Sequence, residues 1–226
     1  MAITLTNSDS LIEDDVTPVS DITSTIYSYY HPGGSSLLVV EVSVIGGAAV
    51  ALVTFNGNTL TIAEQQTNSD REASIWFLQN PEEVSGDLVV ETRGDSYGRR
   101  IAVASYSGTK TTGDVINTTT YYNYDVSEGN GLEITPTVDG CLIFDGIVCG
   151  DSADIAGFET VIYADDGGTF NGGMLGGCQY YIQPTAATKS MDWIWSGESE
   201  AVHVLVAFEP EPEPVANNNQ FLLFFN

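Results

Sequence analysis

"SSLLVVEVSVIGG", residues 35–47, carries the first structural decision. Its centre, LLVVEVSVI, is apolar at both odd and even positions, and β-branched side chains dominate it. No 3.6-residue period runs through it, and Gly46 and Gly47 close it. Such a run is expected as a strand buried on both faces, at the centre of a sheet covered on two sides.

Working outward, "VALVTFNGNTLTIAEQ" (50–65), "ASIWFLQNP" (73–81), "GDLVVETRG" (86–94) and "RRIAVASYSG" (99–108) are short, β-branched or aromatic, and bounded by Gly, Asn or Pro. "LVVETR" approaches strict alternation, and no amphipathic helix of about ten residues or more stands out. The fold class is all-β. The second half echoes the first. "SLLVVEVSVIGG" from Ser36 aligns with "GCLIFDGIVCGD" from Gly140, an offset of 104. The same offset relates "SIWFLQNPEEVSGDLVVETRG" from Ser74 to "CQYYIQPTAATKSMDWIWSG" from Cys178. A shared offset over separate strands predicts an internal duplication, with pseudo-repeats 23–110 and 115–208. Each half could be a small domain, but "NTTTYYNYDV" in the join itself reads as a strand. One jelly-roll-like β-sandwich of roughly ten to twelve strands is therefore expected over 23–208, with an arm at 1–22 and a separate segment at 209–226.

From residue 23 to 210, the succession "LLVVEVSV", "VTFNGNTLTIAEQ", "ASIWFLQNP", "DLVVETRG", "IAVASYSG", "LIFDGIVCGDS", "SMDWIWSG" and "AVHVLVAFEP" resembles a β-sandwich module of phage structural proteins and large bacterial surface proteins. The resemblance implies display, adhesion or decoration and brings no catalytic signature with it. The larger surface proteins carry a signal and neighbouring domains, which directs the expectation to a virion component.

Charge narrows the partners. Thirty-one Asp and Glu against six Lys and Arg give a formal net charge of -25, which repels nucleic-acid phosphates and anionic lipid. The longest apolar run, "VIGGAAVALV" at 44–53, is too short to insert across a membrane. "AITLTNSDSLIEDD" after Met1 has neither a basic nor an apolar signal region, so the expected place is a virion surface or the extracellular space, reached without a secretory signal. Cys141, Cys149 and Cys178 lack metal-ligand spacing and are odd in number, and buried free thiols are expected.

Candidates for chemistry are few. His31 and His203 are the only histidines, no G-x-S-x-G elbow is present, and no catalytic residue is assigned. "CGDSADIAGFETVIYADDGGTFNGGMLGG" sets Asp151, Asp154, Asp165 and Asp166 among glycines as a ligand-facing loop. Asp165 and Asp166 are candidates for Ca²⁺, although the spacing is not that of an EF-hand and turn formation explains the same residues. No other cofactor is expected. Trp193 and Trp195 share one face of a strand, and Tyr27, Tyr29 and Tyr30 cluster, as do Tyr121, Tyr122 and Tyr124. Such groups form either a sugar-binding platform or a core. Arg99 and Arg100 are candidates for contact with a neighbouring subunit's carboxylates.

Residues 209–226, "EPEPEPVANNNQFLLFFN", combine an extended Glu-Pro spacer with an apolar anchor, Phe221, Leu222, Leu223, Phe224 and Phe225. Burying those five side chains contributes about 8–15 kcal/mol, and ordering the backbone costs a comparable amount. Strand addition to another sheet would tip that balance. The expected function is a non-enzymatic structural protein of a virion surface, a capsid decoration or fibre-type component, forming homo-oligomers and contacting other virion or surface subunits through its termini. The alternative is an adhesin or lectin-like module that binds host glycans, with or without Ca²⁺.

Overall fold

The computed structural model describes residues 2–13, 23–68, 70–94, 98–112, 117–123, 131–150, 155–164, 175–195 and 200–213. These residues form eighteen strands and no helix. In the first half, β1 (Thr4–Glu13), β3 (Leu37–Ile45), β6 (Thr61–Thr67), β7 (Arg71–Gln79) and β9 (Gly98–Ser107) make a five-stranded sheet of order β1-β9-β3-β7-β6. The strands β2 (Thr23–His31), β4 (Ala49–Phe55), β5 (Asn58–Thr59) and β8 (Val84–Arg93) make a four-stranded sheet of order β2-β8-β4-β5. In the second half, β10 (Asn117–Asn123), β12 (Cys141–Cys149), β14 (Thr160–Ala164), β15 (Leu175–Gln183) and β18 (Ala201–Phe208) repeat the five-stranded order as β10-β18-β12-β15-β14. Two short pairs remain, β11 (Leu132–Ile134) with β16 (Lys189–Met191), and β13 (Ile155–Gly157) with β17 (Trp193–Trp195). All these pairings are antiparallel.

The strand count exceeds ten to twelve for local reasons. In "VALVTFNGNTL" the backbone of Asn56 and Gly57 turns left-handed (φ 47° and 78°), so the pair makes a tight hairpin between β4 and β5 where the sequence reads as one strand. Asp192 divides "KSMDWIW" into β16 and β17.

The layers follow from burial. All nine residues of β3 and all nine of β12 are buried, as runs apolar on both faces require. Val39, Ile75, Ala104 and Tyr106 pack with Leu142, Phe144, Val204 and Phe208 in one core shared by the two five-stranded sheets. Outside it, Leu38, Val40, Trp76 and Val103 pack under the four-stranded sheet through Val53, Phe55, Leu88 and Val90. On the far side, Ile147, Cys149 and Ala201 pack under β13 and β17, and Ile143, Leu205 and Ala207 pack under β11 and β16. The molecule is thus a stack of four β layers. β3 lies over β12 at its centre, β6 over β10 at one side and β1 against β14 at the other.

The 104-residue offset holds for pairing and fails for facing. Leu37 pairs with Gln79, and Cys141, 104 residues on, pairs with Gln183. Yet Val39 packs in the shared core, whereas Ile143 packs in an outer cluster. Because side chains alternate, a shift of one residue exchanges the two faces of a strand, and the sequence offset is odd by one against the layers. Within residues 1–22, Thr4–Glu13 form edge strand β1 against β9. No helix among the described residues is long and apolar enough to cross a membrane.

Candidate functional site

The outer face of the second five-stranded sheet carries a polar belt. Asp145 lies in the middle of β12, whose two faces are both covered, so its carboxylate is fully buried. A buried carboxylate needs donors, and three reach it. His203 Nε2 lies 2.5 Å from Oδ1, and Oδ2 accepts Trp193 Nε1–H at 2.8 Å and Gln179 Nε2–H at 2.7 Å. Gln179 also donates to the Asp192 carbonyl at 3.1 Å and accepts the Glu159 amide at 3.0 Å, tying the belt to the break between β16 and β17. Gly177 is a close approach: a β-carbon there would stand 2.5 Å from the Trp193 ring.

A second buried acid lies between the two five-stranded sheets. Glu41 faces β12 at Gly146, where a β-carbon would stand 2.4 Å from Glu41 Cγ. The Tyr163 hydroxyl donates to Glu41 Oε2 at 3.0 Å, and Ser43 Oγ donates to Oε1. Burial pushes this carboxyl up to about 8, against the Ser43 and Tyr163 hydroxyls that favour the anion, and Asp145 adds to the rise. Glu72, under the turn into β4, accepts the Val50 amide at 3.1 Å, and burial raises it to about 7.

Both histidines are buried, in different halves. His31 Nδ1 lies 2.8 Å from Ser105 Oγ, which also contacts the Tyr29 hydroxyl at 2.9 Å, and burial lowers the His31 pKa. A serine is thus beside one histidine and an acid beside the other. Ser105 and Asp145 are fully buried and His203 is 3% exposed, so neither pair offers a substrate an approach. No group of three or more His, Cys, Asp or Glu able to hold a metal occurs among the described residues.

The other predicted residues fall out as follows. Arg99 and Arg100 are not a surface pair: they are 4% and 3% exposed and point to opposite layers. Arg99 Nη1 donates to Thr25 of β2 at 2.5 Å, while the Arg100 stem lies against Gly176 of β15. Alternation along a fully covered strand dictates this outcome, which corrects their reading as a docking pair. Trp193 and Trp195 do share a face, and that face is buried, so they form core and no sugar platform. Cys141, Cys149 and Cys178 are free and buried, with burial raising Cys141 to about 11 and Cys178 well above the usual thiol range. Asp151, Asp154, Asp165, Asp166 and the anchor Phe221–Phe225 lie outside the described residues. The belt and Glu41 escaped the sequence reading, although a signal existed: "LIFDGIVCG" and "LLVVEVSVI" each hold one acid in a run apolar on both faces, which forces burial.

The segment after β18 begins at a fixed root. Thr109 bridges to Pro210, Glu211 N–H donates to the Gly108 carbonyl at 2.7 Å, and Lys110 Nζ pairs with Glu209 at 2.8 Å. Between this root and the turns at Val138–Gly140 and Pro184 opens a cleft of about 420 Å³. Comparison of the chain with models of known protein families, with curated proteins and with solved structures finds no match.

Proposed function

We propose that this chain is a non-enzymatic structural protein, a jelly-roll-like duplicated β-sandwich that builds or decorates a virion surface and assembles through residues 1–22 and 209–226. The observation that carries the reading is the fixed root at Gly108–Lys110. It launches the Glu-Pro spacer from one defined point at the end of the stack and lets the apolar anchor Phe221–Phe225 engage a sister subunit. The described chemistry-bearing groups, His31, His203, Asp145, Glu41 and the three thiols, are all committed to packing.

Duplication is supported by the common strand order of the two five-stranded sheets and by the crossed stacking in which each half's edge strand meets the other half's opposite edge. Each half closes the apolar face that the other would leave open, as two copies of one module would in a dimer. Light scattering on the full chain and on a chain ending at Glu213, which retains the root, tests the assembly. A defined oligomer that becomes monomeric on truncation supports it, and an unchanged mass in the two chains defeats it.

A further inference from the structure

Most strands that end the large sheets are blunted. β1, β6 and β14 each lose register against their neighbours, between Leu5 and Asn7, Ile62 and Glu64, and Val161 and Tyr163, and β5 has only two residues. Bulged and short edges are poor templates for another strand. β10 keeps its register, and both β6 and β11 lie against it. β2 is different: it ends its sheet with nine residues in unbroken register with β8. It holds no Asp, Glu, Lys or Arg, in a chain of net charge -25. Ile26 and Tyr30 stand 66% and 48% exposed on it, and Asn7 of β1 caps the Tyr30 carbonyl with an exposed side-chain hydrogen bond at 2.8 Å. A long, uncharged edge with exposed apolar side chains invites strand pairing.

We infer that the outer edge of β2 receives the apolar segment 221–225 of a sister subunit as an added strand. The inference rests on the assembly proposed above and names the place where the anchor docks. Charge selects the occupant: outside the described residues, 214–226 is the one segment of strand length without an acid, whereas 14–22, 124–130 and 165–174 each carry at least two. A strand apolar at odd and even positions suits both sides of this edge. One side adjoins Ile26 and its cross-strand neighbour Val89, and the other adjoins half-buried Tyr27 and Leu11 at the rim of the apolar cluster. Main-chain hydrogen bonds along the edge then add to apolar burial. The same chain's β2 is the poorer address. Residues 209–213 lie against Val138, Gly140 and Pro184 of the second half, while β2 is in the outermost layer of the first, two layer spacings of about 10 Å away. Residues 214–220 reach about 25 Å when fully extended, and crossing the stack would use them up.

The test mixes full-length chains carrying one added cysteine each, Ser28→Cys in one and Leu222→Cys, Leu223→Cys or Phe224→Cys in the other, with a short bis-maleimide; the native thiols are buried. Expected is a cross-link between the two different chains whose yield alternates several-fold along 222, 223 and 224, because only every second side chain of an added strand shares the face of Ser28. Ile194→Cys, exposed on the second half, should cross-link several-fold less than Ser28→Cys. Ile26→Asp should reduce the oligomer to the mass of the chain ending at Glu213, and an unchanged melting temperature shows that this variant folds. An oligomer lost on truncation but kept in Ile26→Asp, with an even or absent cross-link, overturns the docking site and leaves the assembly standing. A mass unaffected by truncation defeats the assembly and the site with it. A cross-link formed within one chain of the double variant Ser28→Cys/Leu223→Cys, or preferentially between two Ser28→Cys chains, overturns the sister's segment as occupant.

Discussion

Each half covers its own five-stranded sheet, and the two do so in different ways. In the first, β8 runs unbroken through ten residues over one continuous apolar cluster. In the second, the corresponding stretch is cut at Asp192 into β16 and β17, and the apolar face beneath is split into two clusters. What separates those clusters is the belt: Asp145 lies between Ile143 and Ile147 on β12, and His203 between Ala201 and Leu205 on β18. Hydrophobic burial is non-directional and suffices to hold a broad sheet, whereas a cover reduced to three-residue strands gains its placement from directed hydrogen bonds. One cover is held by area, the other by donors converging on one carboxylate.

The largest expected effect of a single substitution follows from that contrast. Asp145→Ala leaves His203 and Trp193 Nε1 without their acceptor and Gln179 with the Asp192 carbonyl alone, and should cost about 3–5 kcal/mol in urea unfolding, with loss of the Trp193 environment in the near-ultraviolet dichroism. Val40→Ala, under the apolar cover, should cost about 2 kcal/mol and leave that signal intact. Equal costs and an unchanged signal in both variants would remove the distinction between the covers.

Two buried acids, Glu41 between the five-stranded sheets and Glu72 under the turn into β4, supply a pH dependence of unusual sign. The folded chain holds Glu41 at about 8 and Glu72 at about 7, against 4.5 for an ordinary Glu. Below pH 4.5 both states are protonated and the stability these groups contribute is fully present. As pH rises the unfolded chain releases protons that the folded chain retains, so the contribution falls and levels off only above the folded values. Each group gives a slope of up to about 1.4 kcal/mol per pH unit in that window. Melting temperature should therefore be higher at pH 5 than at pH 9, and Glu41→Gln with Glu72→Gln should flatten the profile. A slope unaltered by both substitutions would assign it to the acidic surface instead.

Close approaches give the next effects. Gly146→Ala places a methyl against Glu41 between the halves, and Gly177→Ala places one against Trp193 under the polar cover. Each should cost about 1–3 kcal/mol. The two should differ in place: hydrogen exchange should quicken across both five-stranded sheets for the first, and chiefly in β13 and β17 for the second.

Strands and their spacing were legible because they depend on local pattern. "LLVVEVSVI" read as a central strand, and it is one. The layers were less so. An offset of 104 is even while the layers demand an odd shift, and only the packing of Val39 against that of Ile143 reveals it. Partners were invisible for a similar reason. His203 meets Asp145 across 58 residues, and Arg99 and Arg100 read as a charged surface pair because sequence gives charge without the layer that buries it.

The smallest effect sharpens how the halves are joined at their edges. Arg71 of β7 pairs with Glu200 before β18 at 3.0 Å with its side chain 10% exposed, and Lys110 pairs with Glu209 at 2.8 Å with its side chain 43% exposed. Both ties bridge the halves, but solvent screens the second more than the first. Arg71 also donates to Asp70, so Arg71→Ala removes a nearly buried stem together with its two ion pairs, and a clear drop in melting temperature is expected. Lys110→Ala should leave the melting temperature within error, in low and high salt alike. Its effect should instead be local, loosening the root so that exchange quickens at the Glu211 amide, whose acceptor is the Gly108 carbonyl. If Lys110→Ala unfolded the protein as readily as Arg71→Ala, the root would be part of the fold's stability and not a separate fixture from which the following segment departs.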